Sequence, residues 1–287
     1  MKFKNLDKYQ DVILITLAII AICMTAVYLV CRILKNSLKS ERILKESFND
    51  SNIVISTDNI MVLLINMSHN KKRLQHFISE YEMTDLSDIP FLRVEGVNGK
   101  EINIKNYTSK NSYKELLTTE RVGYRTRHYQ LTRGAIGCYL SHMLCYKQIR
   151  DSNKPFGIIF EDDAKFKEYD IINQLNKNLH YIPEDWDMLL FHCVCYVCGK
   201  HKYYYDVQRF ILAHAYIVKQ TGAVKLLELL ENRPIEQQID SELSALSING
   251  KLKIYSLRYP LAVQNNMGTT IQTPLHHVTD INPYDLL

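Results

Sequence analysis

The stretch IIFEDDAKF, residues 158–166, sets three carboxylates, Glu161, Asp162 and Asp163, directly behind an apolar run. Adjacent anions repel, so solvent, a basic side chain or a cation must offset them. Hard carboxylate oxygens suit Mg2+ or Mn2+. A cation held there bridges to a phosphate oxygen and offsets charge on a departing phosphate. Successive strand residues take opposite faces, which predicts Glu161 and Asp163 on one face and Asp162 on the other. Taken alone, the triplet reads first as a solvated acidic turn beside Lys165 and Lys167.

Other residue types capable of chemistry lie elsewhere. Asp240, in QQIDSEL, is a residue type that caps helices and whose carboxylate can orient a hydroxyl or take its proton, with Glu242 two residues on. His142 lies inside GAIGCYLSH, where a helix histidine is either a hydrogen-bonded core residue or a site residue. Arg125, Arg127 and Arg133 suit phosphate but read first as a solvated basic loop. Cys193, Cys195 and Cys198, with His192 and His201, contain zinc-ligand types at an irregular C-x-C-x-x-C spacing.

The elements around these residues alternate. IMVLLIN, 60–66, is a short branched apolar run of the kind that forms a strand buried on both faces. Leu74, Phe77, Ile78 and Tyr81 behind it have helical spacing. FLRVEGVNG, 91–99, is a strand closed by a turn at Asn98-Gly99. Residues 100–130 are polar and weakly periodic, which predicts a loop. In 131–150 the stripe Ile136, Tyr139, Leu140, Met143 and Leu144 predicts a helix. Its second stripe of small residues, Gly134, Cys138, Ser141 and Cys145, permits close approach to a sheet or ligand. FGIIF, WDMLLFH and FILAHAYIVKQ are further strands, TGAVKLLELL and the segment after PIEQQIDSEL are helices, and 252–264 has strand character. The pattern is α/β with a mainly parallel sheet. The acid triplet then falls at a strand's carboxyl end, where such sheets bind ligands.

The 287 residues fall into an N-terminal tail (1–11), an apolar segment (12–31), a polar stem (32–58) and a globular domain (59–287). Residues 12–31 carry no charge over a length that spans a bilayer. No small-residue cleavage site follows them, which predicts an uncleaved single-pass membrane anchor. Lys and Arg behind this segment outnumber those ahead of it and lean towards a cytosolic domain. Asn49, Asn66 and Asn106 head glycosylation triplets that matter only in a lumen. The side, endoplasmic reticulum or Golgi lumen against cytosolic face, stays open. A net charge of +4 with no arginine-rich stripe argues against nucleic acid. The seven cysteines do not make a disulfide-dense framework.

In order along the chain, INMSHNKKR, RVEGVNG, LTRGAIGCYLSH, IIFEDDA, DWDMLLFH, AHAYIVKQTGAVKLL, PIEQQIDSEL and YPLAVQ resemble glycosyltransferase family 25, over about residues 60–264. That family includes bacterial lipooligosaccharide sugar transferases and collagen galactosyltransferases. The resemblance implies a GT-A type, Rossmann-like nucleotide-sugar transferase domain behind the N-terminal transmembrane helix. It implies an inverting, divalent-metal-dependent transfer of a hexose, galactose or glucose from a UDP-sugar, to a glycan or protein hydroxyl. By position, Asp163 is the first metal ligand, with Glu161 beside it. Asn66, Arg73, Val97, Asn98, Ser141, Asp162 and Gln264 fall to the substrates, and Asp240, Glu242 and His142 to catalysis. Two departures motivate the alternative of a non-catalytic relative that binds a nucleotide sugar or a partner. Ala135 stands where the family usually has Glu, and NNMGTTI follows Gln264 where the family often has Ser-Asp.

Overall fold

A computed structural model describes residues 54–125, 130–265 and 271 of the chain. The expected tail and membrane anchor and nearly all of the stem lie outside the described residues. Among the described residues no helix is long and apolar enough to cross a membrane.

The order is β1 (Ile60–Asn66), α1 (Lys71–Tyr81), β2 (Leu92–Glu95), a 3-10 turn (Ile104–Asn106), α2 (Lys110–Val122), α3 (Arg133–Asp151), β3 (Phe156–Glu161), β4 (Ala164–Phe166), α4 (Ile171–Leu179), β5 (Met188–Leu190), β6 (Val194–Lys200), β7 (Tyr204–Ile211), β8 (Ala215–Lys219), α5 (Gln220–Leu230), α6 (Ile239–Ile248), β9 (Ile254–Leu257) and β10 (Ala262–Gln264). Eight strands form one sheet in the order β2-β1-β3-β8-β5-β9-β7-β6, and β10 pairs with β4 in a separate two-stranded ribbon.

The sheet is mixed. β2, β1 and β3 run parallel, but β8 enters between β3 and β5 antiparallel to both. β7 is also antiparallel to its neighbours β9 and β6. The expectation of a mainly parallel sheet is thus corrected to a parallel β2-β1-β3 half and a mixed remainder. Apolar runs alone report burial, not direction, which the connections decide.

α3 positions much of the site. Thr132 caps it by accepting from the Ala135 amide at 3.0 Å. Ile136, Tyr139, Met143, Tyr146 and Ile149 are buried along its length, and it packs on α5 and β1. The polar segment 100–130 is not a loop throughout, since α2 occupies Lys110–Val122. Ser109 caps α2, and Gly123, at φ 86°, ends it in the left-handed region that glycine tolerates. Only Leu116 and Thr119 of α2 are buried, which explains its faint periodicity. The expected strand over 210–220 is two strands, β7 and β8, broken at Leu212, whose φ of 75° is strained for a residue with a side chain.

Candidate functional site

The carboxyl ends of three adjacent parallel strands form the floor of the site. β1 ends in Asn66, β2 leads into Gly96–Gly99, and β3 ends in Glu161. A cavity of about 340 Å³ opens there, lined by Asn66, Arg73, Val97, Asn98, Glu161 and Asp162 among others. The 97–99 loop lies directly against α3. A Cβ on Gly137 would sit 2.2 Å from the Val97 carbonyl oxygen, and one on Gly99 would sit 1.8 Å from that of Arg133. Both glycines are therefore required by close backbone approach. Ser141 clamps the same crossing, donating to the Gly137 carbonyl at 2.7 Å and accepting from the Val97 amide at 2.9 Å. Asn98 bonds locally, to Glu101 and the Lys100 amide.

The three acids face different partners. The strand stops at Glu161 and a turn carries Asp162 and Asp163, so the expected strand alternation does not govern them. Asp162 is buried and accepts from Asn66 Nδ2 at 2.7 Å and from Arg73 Nη1 at 2.8 Å. Arg93 Nε in turn donates to Asn66 Oδ1 at 2.9 Å. Arg73 also lies 3.7 Å from Asp163 Oδ2, so a guanidinium from α1 offsets part of the cluster's charge. Gln264 donates to the same Oδ2 at 3.1 Å, while Asp163 Oδ1 is buried without a hydrogen bond. Burial, with Glu161 nearby, pushes the Asp163 carboxyl up to about 7 despite Arg73 and Gln264.

Glu161 turns towards α3. Its Oε1 lies 3.1 Å from His142 Nε2 and 3.7 Å from Cys138 Sγ. His142 Nδ1 bonds the Tyr216 hydroxyl at 2.7 Å, which bonds that of Tyr146 at 3.0 Å. Burial alone would raise the Glu161 carboxyl, but the His142 hydrogen bond and charge outweigh it and hold it below the usual glutamate range. Both ring nitrogens of buried His214 lack hydrogen bonds. Burial lowers that ring to about 4, against the pull of Glu161 and the nearby Ala262 carbonyl.

Asp240, at the start of α6, accepts from the Leu212 amide at 3.3 Å and the Ser241 amide at 3.0 Å. Burial raises its carboxyl and Glu161 adds to the rise. The charges of Glu161, Asp240 and Asp163 all bear on the Cys138 thiol. Glu242 instead pairs with Arg233 and accepts from Gln237 Nε2 at 2.9 Å, which ties it to its own segment.

Of the residues singled out from sequence, Asn66, Arg73, Asp162, Asp163 and Gln264 form one connected hydrogen-bonded or ion-paired group. Val97, Asn98 and Ser141 build the opposite wall, and His142 and Glu161 form a second group behind it. Glu242 joins none of these. Sequence reasoning assigned no site role to Cys138, Arg93, Tyr146, Tyr216 or His214. Cys138 lies four residues ahead of His142, a spacing that puts both on one helix face and was the available signal. No local signal marks the tyrosines.

The sets differ in what they suit. A buried carboxylate oxygen without a partner, in a crowd of acids, suits a hard divalent cation at Asp163. Among the described residues the one trio of metal-ligating atoms within 4.8 Å of one another is Cys138, His142 and Glu161. Cys193, Cys195 and Cys198 are free thiols, and among the described residues no such trio forms around them.

Together these features define a Rossmann-like α/β domain with an acid-lined pocket at its strand ends. The sequence matches glycosyltransferase family 25 (LPS biosynthesis protein) over residues 59–241, and the chain belongs to that family. It is 33% identical over 132 residues to procollagen galactosyltransferase 1-A of Xenopus laevis, covering 45% of this chain and 20% of that protein. It is 27% identical over 184 residues to a putative glycosyltransferase of Haemophilus influenzae, covering 62% and 60% of the two chains. The chain thus spans about one-fifth of the length of the procollagen galactosyltransferases it matches. The solved structure of S. aureus TarS 1-349 in complex with UDP-GlcNAc aligns at a TM-score of 0.40 and 10% identity, over 76% of this chain and 61% of that one.

Proposed function

We propose that this protein is a membrane-anchored glycosyltransferase that moves a hexose from a nucleotide sugar to a hydroxyl of a glycan or protein. The carrying observation is the cavity at the ends of β1, β2 and β3, walled by Asn66, Arg73 and the 97–99 loop and bordered by the acid triplet. The names of the procollagen galactosyltransferases favour galactose and a protein acceptor; UDP as the carrier rests on the motif resemblance alone.

In this reading Arg73 and Asn66 hold Asp162 in place beside the nucleotide. The glycine crossing fixes the 97–99 loop as the opposite wall. Asp163 holds the Mn2+ or Mg2+ that, when bound, offsets charge on the departing diphosphate. Asp240, its carboxyl raised by burial, is the base that takes the acceptor's proton in an inverting displacement. Glu242, already paired with Arg233, is the weaker base candidate. The 12–31 segment anchors the domain to a membrane.

A panel of nucleotide sugars with Mn2+, read by released nucleoside diphosphate and by transfer, tests this. Turnover that a chelator removes and Asp163→Ala abolishes supports it. No hydrolysis or transfer of any donor, with thermal stabilisation by nucleotide alone, would leave the non-catalytic reading in its place.

A further inference from the structure

Behind the donor pocket, Cys138, His142 and Glu161 bring a sulfur, an imidazole nitrogen and a carboxylate oxygen within 4.8 Å of one another. We propose that these three side chains form a second metal site, for a borderline divalent cation of the Zn2+ class, separate from the hard-cation site at Asp163. The proposal does not depend on the transferase reading.

The spacing carries it. A tetrahedral cation bound at about 2.1 Å to nitrogen and oxygen and about 2.3 Å to sulfur sets those ligands about 3.4 Å (N···O) and about 3.6 Å (S···O) apart. The separations here are 3.1 Å from His142 Nε2 to Glu161 Oε1 and 3.7 Å from Cys138 Sγ to the same oxygen. The ligand types select the metal, because thiolate and imidazole favour Zn2+ over Mg2+ or Mn2+. Three protein ligands with one position open is the arrangement of reactive rather than purely structural zinc sites. Here the open side faces the pocket, since Cys138 and Glu161 line it while His142 is buried behind them.

Two further observations agree. His142 Nδ1 is held by Tyr216, which is backed by Tyr146, the orienting contact that metal-bound histidines need. The surrounding field is also negative, since Asp240 and Asp163 bear on Cys138 together with Glu161. Arg73 is engaged with the other two acids, Asp162 and Asp163.

The protons balance. Without metal, His142 Nδ1 donates to Tyr216, which donates to Tyr146, and Nε2 and Glu161 Oε1 share one proton. With metal, Nε2 gives its lone pair to the cation and the shared proton leaves, while Nδ1 goes on donating to Tyr216. Cys138 loses its thiol proton to solvent. The two tyrosines thus hold the ring in one orientation throughout, and two protons leave per metal.

The test uses the full chain in mild detergent, stripped with chelator and titrated with Co2+ and Zn2+. We expect a thiolate-to-cobalt absorption band in the near ultraviolet that Zn2+ abolishes. Cys138→Ser should lose the band, Asp163→Asn should keep it, and Tyr216→Phe should weaken affinity by about 10–100-fold. Calorimetry in two buffers should show about two protons released per Zn2+. The proposal fails if saturating Co2+ gives no band, or if no proton is released. It also fails if the band survives Cys138→Ser and disappears with Cys195→Ser, which would move the metal to β6. If Cys138→Ser does not fold, the Tyr216→Phe affinity and the proton count still decide. No band in a protein that turns over donors would sink this site and leave the transferase intact. A band without turnover would do the reverse.

Discussion

Replacing Asp163 with Asn should make the domain more stable at alkaline pH. Asp163 is 5% exposed and its Oδ1 has no partner. Burial and Glu161 raise its carboxyl from 3.8 to about 7. The folded state therefore binds this proton more tightly than the unfolded state does. The stability it contributes is full below pH 4 and is lost as pH rises to 7. At about 1.36 kcal/mol per tenfold change in proton affinity, the loss is about 4 kcal/mol. Asn has no such titration. Its amide adds an unpaired buried donor, at a cost of about 1–3 kcal/mol that does not vary with pH. The difference in stability between Asp163→Asn and the parent should thus change by about 4 kcal/mol between pH 4 and pH 8. For a domain of this size that is roughly 8–16 °C in relative melting temperature. Urea denaturation of both proteins at pH 4, 6 and 8, in chelator, measures it. Adding Mn2+ at pH 8 should stabilise the parent and not the variant. A difference that stays flat across the range would refute the reasoning, because it would mean that the carboxylate is already compensated in the folded state.

Other outcomes follow from the same geometry. Arg73→Met leaves Asp162 without its ion pair and should cost about 3–5 kcal/mol, with part of the loss recovered by adding Asp162→Asn; urea melts of the single and double variants check it. Gly137→Ala drives a methyl into the Val97 carbonyl and should cost about 1–3 kcal/mol. It should also weaken nucleotide binding, read by ligand-induced thermal shift, because the 97–99 wall must move. Glu242→Gln should cost about 1 kcal/mol through its half-exposed partner Arg233 and leave donor turnover unchanged, whereas Asp240→Asn should abolish it.

Much of this arrangement is legible along the chain, for reasons that also mark where legibility stops. β1 and β3 announce themselves because both faces are buried, so every position before the last is apolar or glycine. α3 does so because one long stripe meets the sheet. α2 is faint because two buried residues leave little pattern, and its clearest signals are the Ser109 cap and Gly123. The position of the acid triplet at the end of β3 is also legible, but not what each acid does. Strand alternation was the only local rule available, and the strand ends two residues too early for it to apply. The charge on Asp162 is offset by an arginine 89 residues away, a pairing set by the β1–α1 crossover and invisible in the spacing. Cys138 meets Glu161, and Asp240 comes within reach of its charge, for the same kind of reason. Their local motifs say helix start and small helix residue, and only the packing of α3 and α6 brings both within the field of one carboxylate.

The place of β8 has a consequence for how the molecule is made. β3, the strand that carries the acids, reaches β5 and β9 only through β8, which is completed at Lys219. A nascent chain can pair β2, β1 and β3 early. The outer edge of β3 then stays open, with unpaired amides and carbonyls, until more than 50 further residues have been synthesised. A fragment ending before residue 215 would keep that edge exposed and should aggregate, even though it contains almost the whole nucleotide-side wall. Synthesis is thus the stage at which this protein is most vulnerable, and a shortened chain meant to carry the pocket alone must still extend through β8.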